Sequence, residues 1–344
     1  MNRETDHKVN TPIRCGIVGL GRSGWDIHVK CLIENEKYFI NAVCDKDSER
    51  LAQSIRELKC KGYADYNDFL DNPDIDVVII ATPSKSHYTI AKAALRSKKH
   101  VVLEKPLAAN IDEVIQLKNL SDKIGRRLIP FFNFRFVQEY QLIKSILKEK
   151  LIGQVFLIKR HVSYYNRRDD WQAQSAENGG ILNAAAMHHL DQILQIVGEQ
   201  PIDIWGDLRH VVSKGDAPDH SKILMKFPNG CITDVEVSWA EALPGYPWHI
   251  FGSRGAIRQF ENTLECKWFN EEDIDEQVNG DRSYFSNERI QWKHKKYTLN
   301  KDYALGVTPL FYEQLAESLV YNKEIPVDIQ SAIRTMEILG ELAY

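Results

Sequence analysis

The sequence is poor in the features that mark proteins of membranes, nucleic acids or oxidising compartments. No apolar run in its 344 residues approaches the length needed to cross a bilayer. The formal net charge of −4 leaves no basic excess to neutralise phosphates, so nucleic acid is not an expected partner. The six cysteines (Cys15, Cys31, Cys44, Cys60, Cys231, Cys266) form no Cys-x-x-Cys pair. Two of them fall inside apolar strand patterns, where a thiol behaves as a small hydrophobe. A reduced, cytoplasmic setting is the expectation. Met1 to Asn10 are polar and lack an apolar core, which speaks against a secretory leader. Internal repeats and low-complexity tracts are absent. What is there, 43% hydrophobic and 27% charged residues, suits a globular chain of about two domains.

The amino-terminal half alternates short apolar runs with helical patterns. Ile13 to Val18 is followed by Gly19-Leu20-Gly21-Arg22-Ser23-Gly24, a Gly-x-Gly-x-x-Gly directly after a strand, and Trp25 to Glu34 then reads as a helix. In such a loop the first glycine permits the tight turn and the second lets a pyrophosphate approach the backbone. The third permits close helix–strand contact, and the helix amino terminus faces the phosphates. The next strand, Phe39 to Cys44, ends at Asp45, placed to accept hydrogen bonds from the adenine ribose. A carboxylate there repels a 2′-phosphate, which favours NAD over NADP, while Lys46 and Arg50 close by soften that preference. The competing reading of Asp45 is a helix cap. Asp76 to Ala81 is a third, nearly continuous apolar strand ending in Thr82-Pro83-Ser84, with Ser84 as cap of a helix through Leu95. Thr82 and His87 would sit near the cofactor, although His87 reads equally well as a helix-surface histidine.

Val101 to Pro106, Val-Val-Leu-Glu-Lys-Pro, is the stretch around which this half is organised. A lysine at the carboxyl end of a parallel strand lies where open α/β sheets bind ligands. Burial and a nearby positive nicotinamide ring would disfavour its charge, making Lys105 a candidate proton donor or acceptor for hydride chemistry. The competing reading is an exposed lysine after a strand. A helix (Ile111 to Lys123) and a strand (Arg127 to Pro130) follow. Strands alternating with helices predict a doubly wound parallel sheet over 1–131.

Residues 132–344 read differently. After a helix (Gln138 to Glu149) come strands at Gln154–Tyr165, Ile204–Val212, Ser221–Phe227, Cys231–Trp239, Trp248–Gly252 and Gly255–Phe260, with Asn229-Gly230 as a hairpin turn. Without crossover helices between them, this sheet should be largely antiparallel. Asn262 to Asn300 carries too little periodicity to assign. Thr308-Pro309 starts one closing helix, Thr as cap and Pro at the first helical position, and Asp328 caps another. A helix from about Ala184 to Val197 sets Ala184, His188, Asp191 and Gln195 on one stripe, against Leu190, Ile193, Leu194 and Val197. No metal site is expected there, because His188 and His189 are adjacent and point apart.

In their order, Gly19 to Gly24, Ala81-Thr82-Pro83, Glu104-Lys105-Pro106, and Gly179-Gly180 through His188 and Asp191 resemble the glucose–fructose oxidoreductase/inositol dehydrogenase/rhizopine catabolism (Gfo/Idh/MocA) family. The resemblance implies a Rossmann-type NAD(P)-binding domain contacting the dinucleotide through Gly19, Gly21, Arg22, Ser23, Gly24, Asp45, Thr82, His87, Glu104 and Lys105. It implies a second, α+β domain with an open, largely antiparallel sheet used for homo-oligomerisation. It implies hydride transfer between the nicotinamide and a carbinol carbon of a sugar, cyclitol or related polyol. Lys105 and His188 match the family's proton-transferring residues, and Asp191 matches an aspartate that holds a substrate hydroxyl. Tyr164 and Trp171 precede the helix and are placed to line the site. One departure is Ala184, where many members carry an aspartate. It keeps two alternatives open: an NAD-using glycosidase acting by transient oxidation and elimination, and a non-catalytic sensor of dinucleotide or sugar.

Overall fold

The structure, a computed structural model, describes residues 11–275, 289–300 and 307–342. Its first half is built on strands β1 (Ile13–Val18), β2 (Tyr38–Cys44), β3 (Lys61–Tyr63), β4 (Val77–Ile80), β5 (His100–Leu103) and β6 (Leu128–Pro130). All neighbours pair in parallel, in the order β3-β2-β1-β4-β5-β6. This is the doubly wound order. The strands are almost continuously apolar because both faces are covered: Ile17, Val43, Val78, Ile79 and Val102 are fully buried.

Helices α1 (Lys30–Ile33), α2 (Ser48–Leu58), α3 (Tyr66–Leu70), α4 (His87–Arg96) and α5 (Ile111–Ile124) connect them. α1 continues a segment of wide, π-type turns over Ser23–Val29, so helical structure begins two residues earlier than the pattern suggests. Ser84 does not hold the cap position of α4: Ser84–Ser86 form a short 3-10 turn, and α4 starts at His87 after Ser86. β3, three residues with a central glycine at the sheet edge, has no periodicity to betray it.

The second half carries α6 (Gln138–Lys148), β7 (Val155–Ser163), α7 (Met187–Val197) and strands β8 (Asp203–Arg209), β9 (His220–Lys226), β10 (Ile232–Ser238), β11 (Trp248–Gly252), β12 (Gly255–Phe260) and β13 (Thr263–Trp268). A small ribbon, β14 (Ile274–Asp275) with β15 (Arg289–Ile290), precedes β16 (Lys293–Thr298). The large sheet runs β16-β13-β12-β11-β7-β10-β9-β8. Its pairs are antiparallel except β7 with β10, which is parallel. α7 and the hairpin β8–β9 intervene between those two strands, giving the chain the long return that parallel pairing needs. Asn229-Gly230 makes the expected hairpin, with Gly230 at φ +85°. Cys231, Thr233, Val235, Val237 and Trp239 are all buried, as the alternation requires. Residues 276–288 of the unassigned stretch lie outside the described residues.

α8 (Thr308–Tyr321) and α9 (Ile329–Leu342) close the described chain. α8 starts one residue off the expected register: Val307 holds the cap position and Thr308 is already helical. Met1–Asn133 and Ala304–Ile333 form one compact unit, and Phe134–Tyr303 with Arg334–Tyr344 form the other. Where the sequence assigns all of 132–344 to one domain, α8 counts with the parallel sheet. The reason is aromatic: Phe311 meets Phe131 at 4.8 Å between ring centroids, and Tyr38 donates to the Tyr312 carbonyl at 2.8 Å.

Candidate active site

In the first unit the candidate residues lie in loops at the carboxyl ends of adjacent strands. Gly19 follows β1 at φ +93°, and a Cβ on it would come within 2.7 Å of the Ala81 carbonyl oxygen. A Cβ on Gly24 would lie 1.9 Å from the Gly19 oxygen. These two glycines are demanded by the chain's own packing. Gly21 is not: its nearest neighbour would be Arg50 Nη1 at 3.9 Å. A cavity of about 240 Å³ borders it, lined by Leu20, Arg22, Trp25, Asp26, Arg50 and Gln53 among others. A glycine that its own protein does not require, beside open space at a helix start, fits close approach of a pyrophosphate.

Asp45 extends from β2 and ties this loop down. Its Oδ2 accepts from Leu20 N–H at 2.6 Å and its Oδ1 from Asp47 N–H at 2.9 Å. A carboxylate offers about four acceptor positions, so capacity for a ribose hydroxyl remains. The helix cap that competes as a reading belongs to Asp47, whose side chain accepts from Glu49 and Arg50 N–H. Arg22 is exposed and Ser23 half-buried.

Thr82 follows β4; its hydroxyl accepts from Ser86 Oγ at 2.8 Å. His87 is no surface histidine, being 1% exposed. Its Nε2 lies 2.8 Å from the Thr82 carbonyl oxygen and its Nδ1 2.7 Å from that of Pro106. Both nitrogens are thus turned to the backbone. Glu104 is buried too, its Oε1 3.2 Å from His28 Nε2, while His28 Nδ1 lies 2.7 Å from the Tyr312 hydroxyl. Burial alone would raise the Glu104 pKa; the His28 hydrogen bond and the charges of His28, Lys105 and His87 outweigh it and hold the group below the usual range. Lys105 is half-buried between these two anchored residues.

A larger cavity of about 920 Å³ opens at the opposite, amino-terminal ends of the strands. Its cations serve the fold: Arg14 pairs with Asp74 and Asp76, and Lys99 donates to the Asn72 carbonyl.

In the second unit, the helical segment around His188 begins with wide, π-type turns over Leu182–Ala186 before α7 proper. A wide turn takes an extra residue, which breaks the α-helical register expected to align Ala184 with His188. His188 is 7% exposed and stacks on Phe134, centroids 4.3 Å apart and planes 13° off parallel. Asp191 is 1% exposed, and both its oxygens are taken by Arg135, Nε to Oδ2 at 2.7 Å and Nη2 to Oδ1 at 2.5 Å. Burial pushes the Asp191 carboxyl above its usual range, and Arg135 pulls the other way. Tyr164 and Trp171 lie exposed in the loops after β7. Arg168, next to them, pairs with Asp170 and stacks over Trp239. Behind α7 lies a second polar cluster. Arg160 donates to the Pro247 carbonyl at 2.8 Å, lies 3.2 Å from His189 Nδ1 and stacks on Trp248 at 4.3 Å. Burial lowers its pKa to about 10 and raises that of nearby, fully buried Glu139 to about 7. Among the described residues no group of three His, Cys, Asp or Glu is arranged to hold a metal ion.

Sequence reasoning missed His28, Arg135, Glu139 and Arg160. His28 had a signal, lying one helical turn beyond Gly24 on the face that turns inward. Glu139 and Arg160 are ordinary polar residues in a helix and a strand, Arg135 sits in a short 3-10 turn, and only the folded chain brings them to their partners.

Comparison with known proteins agrees with the geometry. Residues 13–132 match the model of an oxidoreductase family with an NAD-binding Rossmann fold, and residues 140–258 match the GFO/IDH/MocA C-terminal domain. The uncharacterized oxidoreductase YdgJ of Escherichia coli is 23% identical over 333 residues, covering 95% of this chain and 94% of its own. The myo-inositol 2-dehydrogenase of Thermotoga maritima is 28% identical over 258 residues, 71% of this chain and 74% of its own. An Agrobacterium radiobacter oxidoreductase, solved in complex with NAD+, L-tartaric acid and magnesium, shares the fold. Its TM-score is 0.80 at 19% identity, over 97% of this chain and 96% of that one. No helix among the described residues is long and apolar enough to cross a membrane. With an NAD-binding Rossmann unit followed by the family's carboxyl-terminal domain, this chain belongs to the Gfo/Idh/MocA family of NAD(P)-dependent oxidoreductases acting on CH–OH groups.

Proposed function

We propose that this protein oxidises a carbinol carbon of a sugar, cyclitol or related polyol, or reduces the corresponding ketone. The observation that carries the reading is a placement within one unit. The glycine loop after β1, Asp45 after β2 and Lys105 after β5 all stand at the carboxyl ends of one parallel sheet. The likeness to a myo-inositol 2-dehydrogenase supports a cyclitol or sugar as the substrate class. Asp45 favours NAD over NADP, because a carboxylate at the ribose repels a 2′-phosphate. Arg50, beside Gly21, is paired with Asp47 at 3.5 Å.

Bound NAD supplies an acceptor for the hydride that leaves the carbinol carbon. Lys105 takes the hydroxyl proton as that C–H bond breaks, so the oxygen is left as a carbonyl. His188 is a second proton-transfer group for the same reaction, held by its stack on Phe134. Asp191, both of whose oxygens are taken by Arg135, orients that arginine in place of the direct hold on a substrate hydroxyl that the family resemblance implies. The protein acts as a homo-oligomer through the outer face of its large sheet. Strand register puts Trp205, Leu224, Ile232 and Phe260 on that face, each exposed.

The test is absorbance of reduced nicotinamide with NAD, and separately NADP, against cyclitols, sugars, sugar acids and glycosides. NADH forming with a polyol is the expected result. Silence across the panel, with NAD bound, would overturn it.

A further inference from the structure

Each neighbour of Lys105 in the chain is fastened to a buried histidine. Glu104, before it, meets His28 Nε2 at 3.2 Å; Pro106, after it, meets His87 Nδ1 at 2.7 Å through its carbonyl oxygen. The histidines are 0% and 1% exposed. Each is fastened in turn to another element: His28 Nδ1 to the Tyr312 hydroxyl on α8 at 2.7 Å, and His87 Nε2 to the Thr82 carbonyl after β4 at 2.8 Å. All four ring nitrogens are therefore used. Leucine or phenylalanine would fill these places with no polar group to satisfy, so packing alone does not account for two buried imidazoles.

We propose that His28 and His87 are positioning residues for Lys105, bracing the turn on both sides so that its amine is held ready for proton transfer. The inference rests on the reading of Lys105 as the proton-transfer group. Without such a brace, a lysine on a two-sided loop would keep its backbone freedom, and misplacing a reacting group by about 1 Å costs on the order of 100-fold in rate.

The two braces differ in chemistry. His28 faces a carboxylate, which accepts, and a tyrosine hydroxyl, which can donate or accept, so both its contacts are met whichever protonation state the ring takes. His87 faces two carbonyl oxygens, which only accept, so both contacts are satisfied together only when both nitrogens carry protons. Burial, helped by a charged Lys105, outweighs the two carbonyls and the Glu104 charge and holds the His87 pKa below its usual range, so one of the two contacts is strained whenever the ring is neutral. His87 is thus coupled to the charge on Lys105, the very quantity that changes during proton transfer.

The test compares His87→Leu, His87→Gln, His28→Leu and His28→Gln with the parent, each first shown to fold and to bind NAD. The leucine variants are expected to lose about 10- to 100-fold in kcat with KM changed less than about threefold, and the glutamine variants to recover part of that loss. The limb of the kcat/KM pH profile assigned to Lys105 should move in the His87 variants. A second readout needs no substrate: labelling of Lys105 by an amine-selective reagent in the NAD-bound protein, followed against pH by mass spectrometry. A shifted labelling midpoint in the His87 variants supports the brace. Folded leucine variants with parental kcat, pH limb and labelling midpoint overturn it. Should a leucine variant fail to fold, the glutamine variants decide by the same readouts. Full turnover by Lys105→Ala would sink the catalytic reading instead, and labelling would still show whether the histidines hold the lysine.

Discussion

Gly21 and Asp191 stand at opposite ends of how a site residue relates to its own protein. Gly21 has almost nothing around it, one guanidinium nitrogen at 3.9 Å from where a side chain would begin. Asp191 is 1% exposed and both of its oxygens are spent on one arginine. The first is a bare position with room beside it; the second is a paired group that serves the protein first. The same contrast separates the two units. In the parallel unit the candidate residues come in order, one loop after another, at strand ends. In the other, polar groups on a helix buried all round are matched by partners far along the chain: Arg135 lies 56 residues from Asp191 and Arg160 lies 29 from His189. A loop motif can be read from its residue types; a buried pair is known only from both members.

The sharpest way to break this contrast is to remove Arg135. Arg135→Ala strands a buried carboxylate, and urea unfolding should show a loss of about 3–5 kcal/mol, the usual consequence of breaking a buried pair from one side. Arg135→Ala together with Asp191→Asn should recover a good part. If the single variant costs nothing, Asp191 is not the structural anchor described above.

Glu139 gives the next largest effect. Neither of its oxygens has a hydrogen-bond partner among the described residues. Burial raises its carboxyl from an ordinary 4.5 to about 7. A raised carboxyl contributes stability that is whole below the unfolded-state value and is lost as pH rises through the folded-state value. The window is therefore roughly pH 4.5 to 7, and the loss amounts to at most about 3 kcal/mol. Glu139→Gln cannot ionise. Relative to the parent it should gain thermal stability between pH 5 and pH 8, and a constant difference over that range would contradict the account.

The smallest effect discriminates best between the two kinds of residue. Gly21→Ala should leave stability within about 0.5 kcal/mol, since its Cβ has room. It should weaken NAD by about tenfold, or 1.4 kcal/mol, by filling the space a pyrophosphate needs. Gly24→Ala should instead destabilise the fold, its Cβ being forced to 1.9 Å from a carbonyl oxygen. Equal effects from the two would erase the distinction.

The same contrast explains what was legible. β1, β2, β4 and β5 are apolar runs because both faces are covered, so the parallel sheet and its strand-end loops follow from the pattern. The hairpin at Asn229-Gly230 and the buried stripe from Cys231 to Trp239 were readable for the same local reason. β16, Lys-His-Lys-Lys-Tyr-Thr, was not: it is an edge strand, and edge strands carry charge to stay unpaired. The parallel β7–β10 pair was missed because strand order in a sheet is a long-range property. The stripe through Ala184 presumed α-helical spacing, and the wide turns at Leu182–Ala186 break it. At the site, Lys105 and His87 were visible as residue types in position; His28 was not, and neither were the contacts of the two histidines, which reach 76 and 19 residues along the chain.

Lys105 is the residue on which the proposed chemistry turns, and the decisive measurement is a paired one on Lys105→Ala. NAD affinity is taken by titration, and turnover with a polyol that the parent oxidises is taken by NADH absorbance. The expected result is NAD binding within a few-fold of the parent and turnover down by about 10²- to 10⁴-fold, the range for a lost proton-transfer group. Unchanged turnover with the same polyol would contradict the role given to this lysine, and with it the chemistry assigned to the strand-end loops.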